Sequence, residues 1–95
     1  MDIAAALRRT LELVLSSRTS GWASESVEEI AEQLRIVISA LEAGTPMDRR
    51  GLGFLFAPTG AIQETSIDNG WGNEFLSLSQ VVDAFLAQAD TTDVE

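Results

Sequence analysis

Two carboxylates, Glu64 and Asp68, have a spacing that could serve acid–base chemistry. Residues four apart share one face of a helix, and two close carboxylates can separate their pKa values and act as acid and base. The spacing often arises by chance, and no nucleophile or base accompanies the pair. A substrate cleft is also difficult to build in 95 residues. We therefore expect no catalysis at this pair.

The run Asp68-Asn69-Gly70 looks like part of a calcium-binding loop, but its register fails. When Gly70 is aligned with the invariant glycine of that loop, Ile67 and Leu76 fall at positions 3 and 12, which must supply oxygen ligands. Asparagine and glycine both tolerate a positive φ, so the same residues are typical of a helix end. The sequence predicts a helix C-terminus here and no metal site.

The residue types that are missing exclude most other chemistry. The chain contains no cysteine, histidine, lysine or tyrosine. Their absence excludes disulfides, zinc fingers, haem ligated through His or Cys, Cys and Ser–His nucleophiles, Walker A loops and Schiff bases. We expect a binding protein that is not an enzyme and needs no cofactor.

The charge is strongly negative and unevenly distributed. The net charge is −9, from 15 acidic residues and six arginines, and all six arginines lie in residues 1–50. Nucleic acids and anionic membranes are bound by clustered Lys or Arg, so we expect neither as a partner. A negative field attracts a cationic protein partner instead. The alternative is that the charge only keeps a small protein soluble.

Acidic residues flank a tryptophan near the start of the last predicted helix. Trp71 lies between Asp68 and Glu74, with Glu64 a helical turn before Asp68. Tryptophan is enriched in interface hot spots, so an exposed Trp71 would form an aromatic anchor ringed by acids. The alternative is that Trp71 packs in the core. Trp22, at the start of the second predicted helix, presents the same choice.

A second acidic set, Glu28 and Glu32, belongs to the first turns of the second predicted helix. Acids at a helix N-terminus complement the helix dipole, which explains them more simply than a docking face does. A docking face remains the alternative, so Glu28 and Glu32 are also candidates for contact with a partner. The full set of predicted partner-binding residues is Glu64, Asp68, Trp71, Glu74, Glu28 and Glu32.

Hydrophobic periodicity predicts five helices, over residues 2–17, 26–43, 45–56, 59–69 and 71–89. Asp2 is expected to cap the first helix, and Ser24 or Ser26 the second, with Glu29 at capping-box spacing from Ser26. Gly44 is a candidate C-cap for that helix.

The two middle helices are predicted from their starts. Thr45 followed by Pro46 is expected to begin the third helix, because proline is favoured at the first helical position. A short buried strand over residues 52–56 is the alternative, but the chain offers it no partner strand. Thr59 is expected to begin the fourth helix, and Asn69-Gly70 to end it.

These elements predict an all-α fold, a compact bundle of four to five short helices formed by residues 1–89. Residues 90–95 are expected to form a flexible acidic tail. The apolar runs are too short to span a membrane, and residues 1–10 lack the order of a secretory signal. We therefore expect a cytoplasmic protein.

The run LFAPTGAIQETSIDNGW, followed by GNEFLSLSQVVDAF, is similar to a group of small bacterial proteins that share P-T-G, Q-E, N-G-W and E-F-L. This similarity covers residues 52–86. In size, acidity and helicity the chain also resembles the immunity proteins that neutralise bacterial toxins. That resemblance implies a protein partner, such as a basic toxin domain.

The leading hypothesis is a cytoplasmic immunity-type inhibitor whose acids meet and occlude a basic toxin surface. One alternative is a self-associating helical module, for example a homodimer that buries an apolar stripe. Another is an inhibitor that mimics nucleic acid, which would require regularly spaced acids on its surface.

Overall fold

Five helices account for nearly all of the regular structure. The computed structural model describes residues 1–23, 25–58 and 60–93, with side chains up to residue 88. Across these residues there is no β-strand, so the all-α prediction is confirmed and the strand alternative for residues 52–56 is wrong. The helices are α1 (Ile3–Leu15), α2 (Val27–Ala43), α3 (Arg49–Leu55), α4 (Ala61–Asp68) and α5 (Gly72–Asp93).

Local capping explains the ends of the first two helices. Asp2 Oδ1 accepts a hydrogen bond from the Ala5 amide at 2.7 Å, which confirms it as the N-cap of α1. Ser26 and Glu29 form the predicted capping box at the start of α2, each side chain accepting from the other residue's amide. Gly44 ends α2 with a φ of +71°, a value that glycine adopts without steric cost.

The predicted start of the third helix is wrong. The N-cap of α3 is Asp48, whose Oδ1 accepts from the Gly51 amide at 2.9 Å. Thr45 belongs to the end of α2 instead, because its amide donates to the Ala40 carbonyl at 3.0 Å. The negative charge of Asp48 also complements the helix dipole. The helix therefore begins after Asp48 and not after Thr45.

The last two helices differ from their predicted bounds by a few residues. α4 begins after Gly60, and Asn69 is its C-cap, as expected. α5 continues to Asp93, beyond the predicted end at Ala89. Two predicted caps, Ser24 and Thr59, lie outside the described residues, as does the end of the acidic tail at 94–95. The flexibility of that tail stays a prediction.

The core lies where α1 and α2 pack together and α3, α4 and α5 close around them. The Phe56 and Phe75 rings stack within it, with centroids 6.1 Å apart and planes 8° from parallel. No helix in the described part of the chain is long and apolar enough to cross a membrane. The largest fully buried apolar side chains are Leu7, Ile30, Leu34, Leu52, Ile62, Val14 and Val82.

An ion pair joins α1 to α5. The Arg9 guanidinium donates to both carboxylate oxygens of Glu74, at 2.6 and 3.1 Å, and also reaches Glu12 at 3.3 Å. The hydrogen bonds from Arg9 hold the pKa of Glu74 below its ordinary value. Arg8 makes a similar contact to Glu42, which joins α1 to α2. These contacts link α1 to α2 and to α5 at the protein surface, where each pair contributes modestly to stability.

We predict that Glu74→Gln lowers the melting temperature at pH 7 and that the difference from the parent protein disappears as the pH falls. A carboxylate with a depressed pKa stabilises the folded state above its ordinary pKa, and that stabilisation is lost as the pH falls through the folded-state value. Thermal unfolding followed by circular dichroism between pH 7 and pH 3 measures the difference.

The matched control for this prediction is Glu64→Gln. Glu64 lies in the first turn of α4, as Glu74 does in α5, but it pairs with no cation among the described residues, so this variant should lower the melting temperature at pH 7 by less than Glu74→Gln does. A difference between Glu74→Gln and the parent that persists undiminished at pH 3 would contradict the assigned role of the ion pair.

Candidate protein-binding surface

The most exposed aromatic side chain among the described residues lies between α1 and α2. It is Trp22, with 82% of its surface accessible. Tryptophan has a large apolar surface and is usually well buried, so an indole this exposed is a candidate contact for a partner. Residues 17–25, which we call the linker, carry it from the end of α1 to the cap of α2.

The linker is held by the side chain of Asn69, at the end of α4. Asn69 Oδ1 accepts from the Arg18 amide at 2.9 Å, while Asn69 Nδ2 donates to the Arg18 carbonyl at 2.9 Å. The same Nδ2 also donates to the Thr65 carbonyl at 2.9 Å, which orients the amide. Both backbone groups of Arg18 are therefore satisfied by one side chain, as they would be by a neighbouring strand.

The residues on either side of Asn69 complete the attachment. Asp68 Oδ2 accepts from the Ser20 hydroxyl at 2.5 Å, and Trp71 Nε1 donates to the Ser17 hydroxyl at 2.9 Å. We call residues 68–71 the clamp. Its three side chains, those of Asp68, Asn69 and Trp71, hold three positions of the linker, at Ser20, Arg18 and Ser17.

The fourth clamp residue, Gly70, sets the direction of the chain. Its φ is +83°, a conformation that side-chain-bearing residues rarely adopt. The turn is closed by the Trp71 amide, which donates to the Ser66 carbonyl at 2.9 Å. This tight reversal lets Asn69 and Trp71 act on the same linker although they stand at the ends of different helices.

The clamp fixes the backbone of Trp22 through Ser20. The Ser20 hydroxyl, which donates to Asp68, also accepts from the Trp22 amide at 3.1 Å. On the other side, Thr19 Oγ1 accepts from the amide of Val27, the first residue of α2, at 3.0 Å. A residue whose backbone is held in this way loses less backbone conformational entropy on binding than one on a free loop.

Two further exposed apolar side chains lie beside the clamp. Ile67 directly precedes Asp68, and its Cγ1 would be 3.7 Å from a methyl group added at Gly72. Leu76 stands one turn beyond Gly72 on α5 and is also exposed. Ile67 and Leu76 therefore form an apolar edge adjoining the clamp that holds Trp22.

The interpretation of Trp71 as an exposed anchor is wrong. Only 9% of its surface is accessible, and its indole N–H is satisfied by Ser17. A buried indole requires such a partner, and the linker supplies it. The aromatic side chain that the structure presents to solvent is Trp22, the other tryptophan whose environment the sequence left open.

The predicted acids do not form one surface. Asp68 is used within the clamp, and Glu74 is paired with Arg9. Glu64 lies half-buried on α4, while Glu28 is exposed near the start of α2. Neither has a cationic partner in the described parts of the chain.

On α2, the remaining candidate Glu32 lies 4.0 Å from Arg35. The acids that follow Trp22 most closely along the described chain are Glu25, in the linker, and the predicted Glu28, in the first turn of α2. Glu25 contacts Gln33, and Glu28 follows Val27, whose amide donates to Thr19. Sequence reasoning missed Glu25 and the holding role of Asn69. The run N-G-W was the available signal for Asn69, but it showed nothing about the linker.

No protein-family model, curated protein or solved structure matches this chain. The resemblances to small bacterial proteins and to immunity proteins therefore remain predictions.

We predict that Asn69→Ala loosens the linker. The substitution removes three hydrogen bonds, and water can replace Asn69 at the exposed Arg18 backbone, so the free energy of unfolding should fall by about 1 kcal/mol. Amide hydrogen exchange should rise over residues 18–22 and stay unchanged in the middle of α2. Asn73→Ala, at an exposed asparagine on α5, is the control. Equal exchange at residues 18–22 in both variants would show that Asn69 does not hold the linker.

Proposed function

We propose that this chain is a protein-binding module whose anchor is Trp22. The observation that carries the proposal is the combination of an 82% exposed indole with a clamp that fixes the backbone supporting it. A pre-positioned tryptophan supplies a large contact area at low entropic cost, and tryptophans of this kind dominate many protein interfaces.

The charges around the anchor favour a basic partner. The linker itself carries Arg18 and Glu25, while Glu28 follows it in α2 and Asp68 contacts it through Ser20, so acids outnumber the one cation near the anchor. The whole chain carries a charge of −9. Such a field accelerates the approach of a cationic surface. An arginine or lysine on that surface can also lie against the indole face, which adds a cation–π contact.

The class of protein that combines these properties is an immunity-type inhibitor acting in the cytoplasm. Its mechanism would be steric: the helical body covers a basic toxin surface, such as a nuclease groove, while the acids complement its charge. Exposed acids would set the association rate, and Trp22 would set the lifetime of the complex. The absence of histidine, cysteine, lysine and tyrosine supports a binding role rather than catalysis.

A nucleic-acid mimic is less well supported by the arrangement of the acids. Mimicry of a phosphate backbone requires regularly spaced, free carboxylates on one surface. Asp68 and Glu74, which would contribute to such a series, are engaged by Ser20 and Arg9 within the fold.

We predict that Trp22→Ala weakens the complex by about 2 kcal/mol or more, mainly through faster dissociation. The immobilised chain is used to capture its partner from a lysate of the producing cells at low salt. The kinetics of the isolated pair are then measured at increasing ionic strength, where association should slow as charges are screened.

The matched control is Phe54→Ala, which removes a comparably exposed aromatic side chain from α3, away from the linker. It should bind the partner as the parent chain does. Equal loss in both variants, or an association rate that does not change with salt, would contradict the proposed function.

A further inference from the structure

The clamp contains the dipeptide Asn69-Gly70, in which the asparagine side chain is prone to deamidation. Glycine has no Cβ, so its amide nitrogen is unhindered and can reach the carbonyl carbon of the preceding side chain. The other asparagine of the chain, Asn73, precedes Glu74, whose side chain shields the corresponding nitrogen. Deamidation is therefore expected at residue 69 rather than at residue 73.

The reaction consumes only water. The Gly70 amide nitrogen attacks Cγ of Asn69, the bond from Cγ to Nδ2 breaks, and Nδ2 leaves as ammonia with the proton that Gly70 gives up. Water then opens the cyclic imide at one of its two carbonyl carbons, which leaves either aspartate or isoaspartate at position 69. No electron is transferred.

The fold depends on both residues of this labile pair. The Asn69 amide group bonds both backbone groups of Arg18, which a carboxylate or an apolar side chain could not do. Residue 70 has a φ of +83°, which favours glycine. A less reactive residue at either position would cost the attachment of the linker or strain the turn.

The closed clamp prevents formation of the imide. The ψ of Asn69 is 8°, which places the Gly70 nitrogen almost eclipsed with the Asn69 nitrogen. The imide ring needs Cβ in that eclipsed position, so the chain must first rotate about the Cα–C bond. The Gly70 amide also donates to the Ile67 carbonyl at 3.4 Å, and Arg18 and Thr65 hold the Asn69 side chain. These contacts must break before the reaction begins.

Opening of the clamp would expose the pair without unfolding the core. Gly70 is exposed, and a Cβ added there would meet no atom within 4 Å. Asn69 is half-buried, and Arg18, which it holds, is exposed. A segment attached by solvent-exposed hydrogen bonds opens more often than the core does. Local release of the linker is therefore the event that permits the reaction.

The product cannot restore the clamp. A carboxylate at position 69 has no hydrogen to donate, so the bonds to the Arg18 and Thr65 carbonyls are lost. Its oxygen would instead face those two carbonyl oxygens, which repel it, and the new charge would lie next to Asp68. Isoaspartate also lengthens the backbone by one carbon within the tight turn.

We propose that Asn69-Gly70 is a modification site at which deamidation releases the linker, and that the closed clamp protects it. Opening of the linker is reversible, whereas deamidation is not, so the modification makes a transient opening permanent. Trp22 would then lie on a free linker. The effect on partner binding rests on the proposed function, but the modification and the release of the linker do not.

The first test follows deamidation by tandem mass spectrometry of the full chain at mildly alkaline pH, either folded or unfolded in guanidinium chloride. If only the open clamp reacts, residue 69 should react at least about tenfold more slowly in the folded chain. Residue 73 should react slowly in both states. Equal rates at residue 69 in the two states, or no reaction there in the unfolded chain, would overturn the proposal.

A second test weakens the clamp without changing the reactive pair. Ser20→Ala removes the contact with Asp68 and should raise the rate at residue 69 of the folded chain about threefold or more, because loss of one hydrogen bond shifts the opening equilibrium by about that factor. The matched control is Ser39→Ala, at an exposed serine on α2. The same rate in both variants would count against protection by the clamp.

The third test examines the product. The deamidated chain, separated by ion exchange through its added negative charge, and the variant Asn69→Asp should both show faster amide hydrogen exchange than the parent over residues 18–22. Circular dichroism confirms that the helices remain folded. Exchange like that of the parent in both proteins would refute release of the linker. No partner is present in these experiments, so their failure is distinct from failure of the proposed function.

Discussion

The hydrogen bonds between the Asn69 side chain and the Arg18 backbone are the contact on which the binding surface depends. They join the end of α4 to the linker, whose described residues lie in neither a helix nor a strand. Helical packing alone would leave the amide and carbonyl of Arg18 to solvent and the linker free to move. The contacts of Asp68 with Ser20 and of Trp71 with Ser17 attach the same linker at two further positions.

The two tryptophans have opposite roles because of this attachment. Trp71 is buried, and its indole N–H donates to the Ser17 hydroxyl of the linker. Trp71 therefore stabilises the linker that carries Trp22. Trp22 lies in the same linker, and its indole is exposed to solvent and is not packed in the core. An exposed indole offers a large apolar surface to a partner, and tryptophan is enriched among the residues that dominate binding energy. The proposed function follows from that division.

The sequence predicts the features that depend on near neighbours. The Asp2 cap, the Ser26–Glu29 capping box and the left-handed Gly44 all arise within four residues, and all are confirmed. Where two local solutions compete, the prediction fails, as at Thr45 and Asp48. The environment of Trp71 depends on Ser17, which is 54 residues away. The spacing of hydrophobic residues along the chain does not predict a contact between such distant residues. The Arg9–Glu74 pair, 65 residues apart, was missed for the same reason.

The most direct test of the central claim is ¹⁹F NMR of the chain labelled with 5-fluorotryptophan. Two resonances are expected, one of which is assigned to Trp22 by its loss in Trp22→Phe. That resonance should broaden strongly with a cationic paramagnetic probe and weakly with an anionic one, while the Trp71 resonance responds to neither. A Trp22 resonance that is protected from both probes, or broadened more by the anionic one, would contradict an exposed anchor in acidic surroundings.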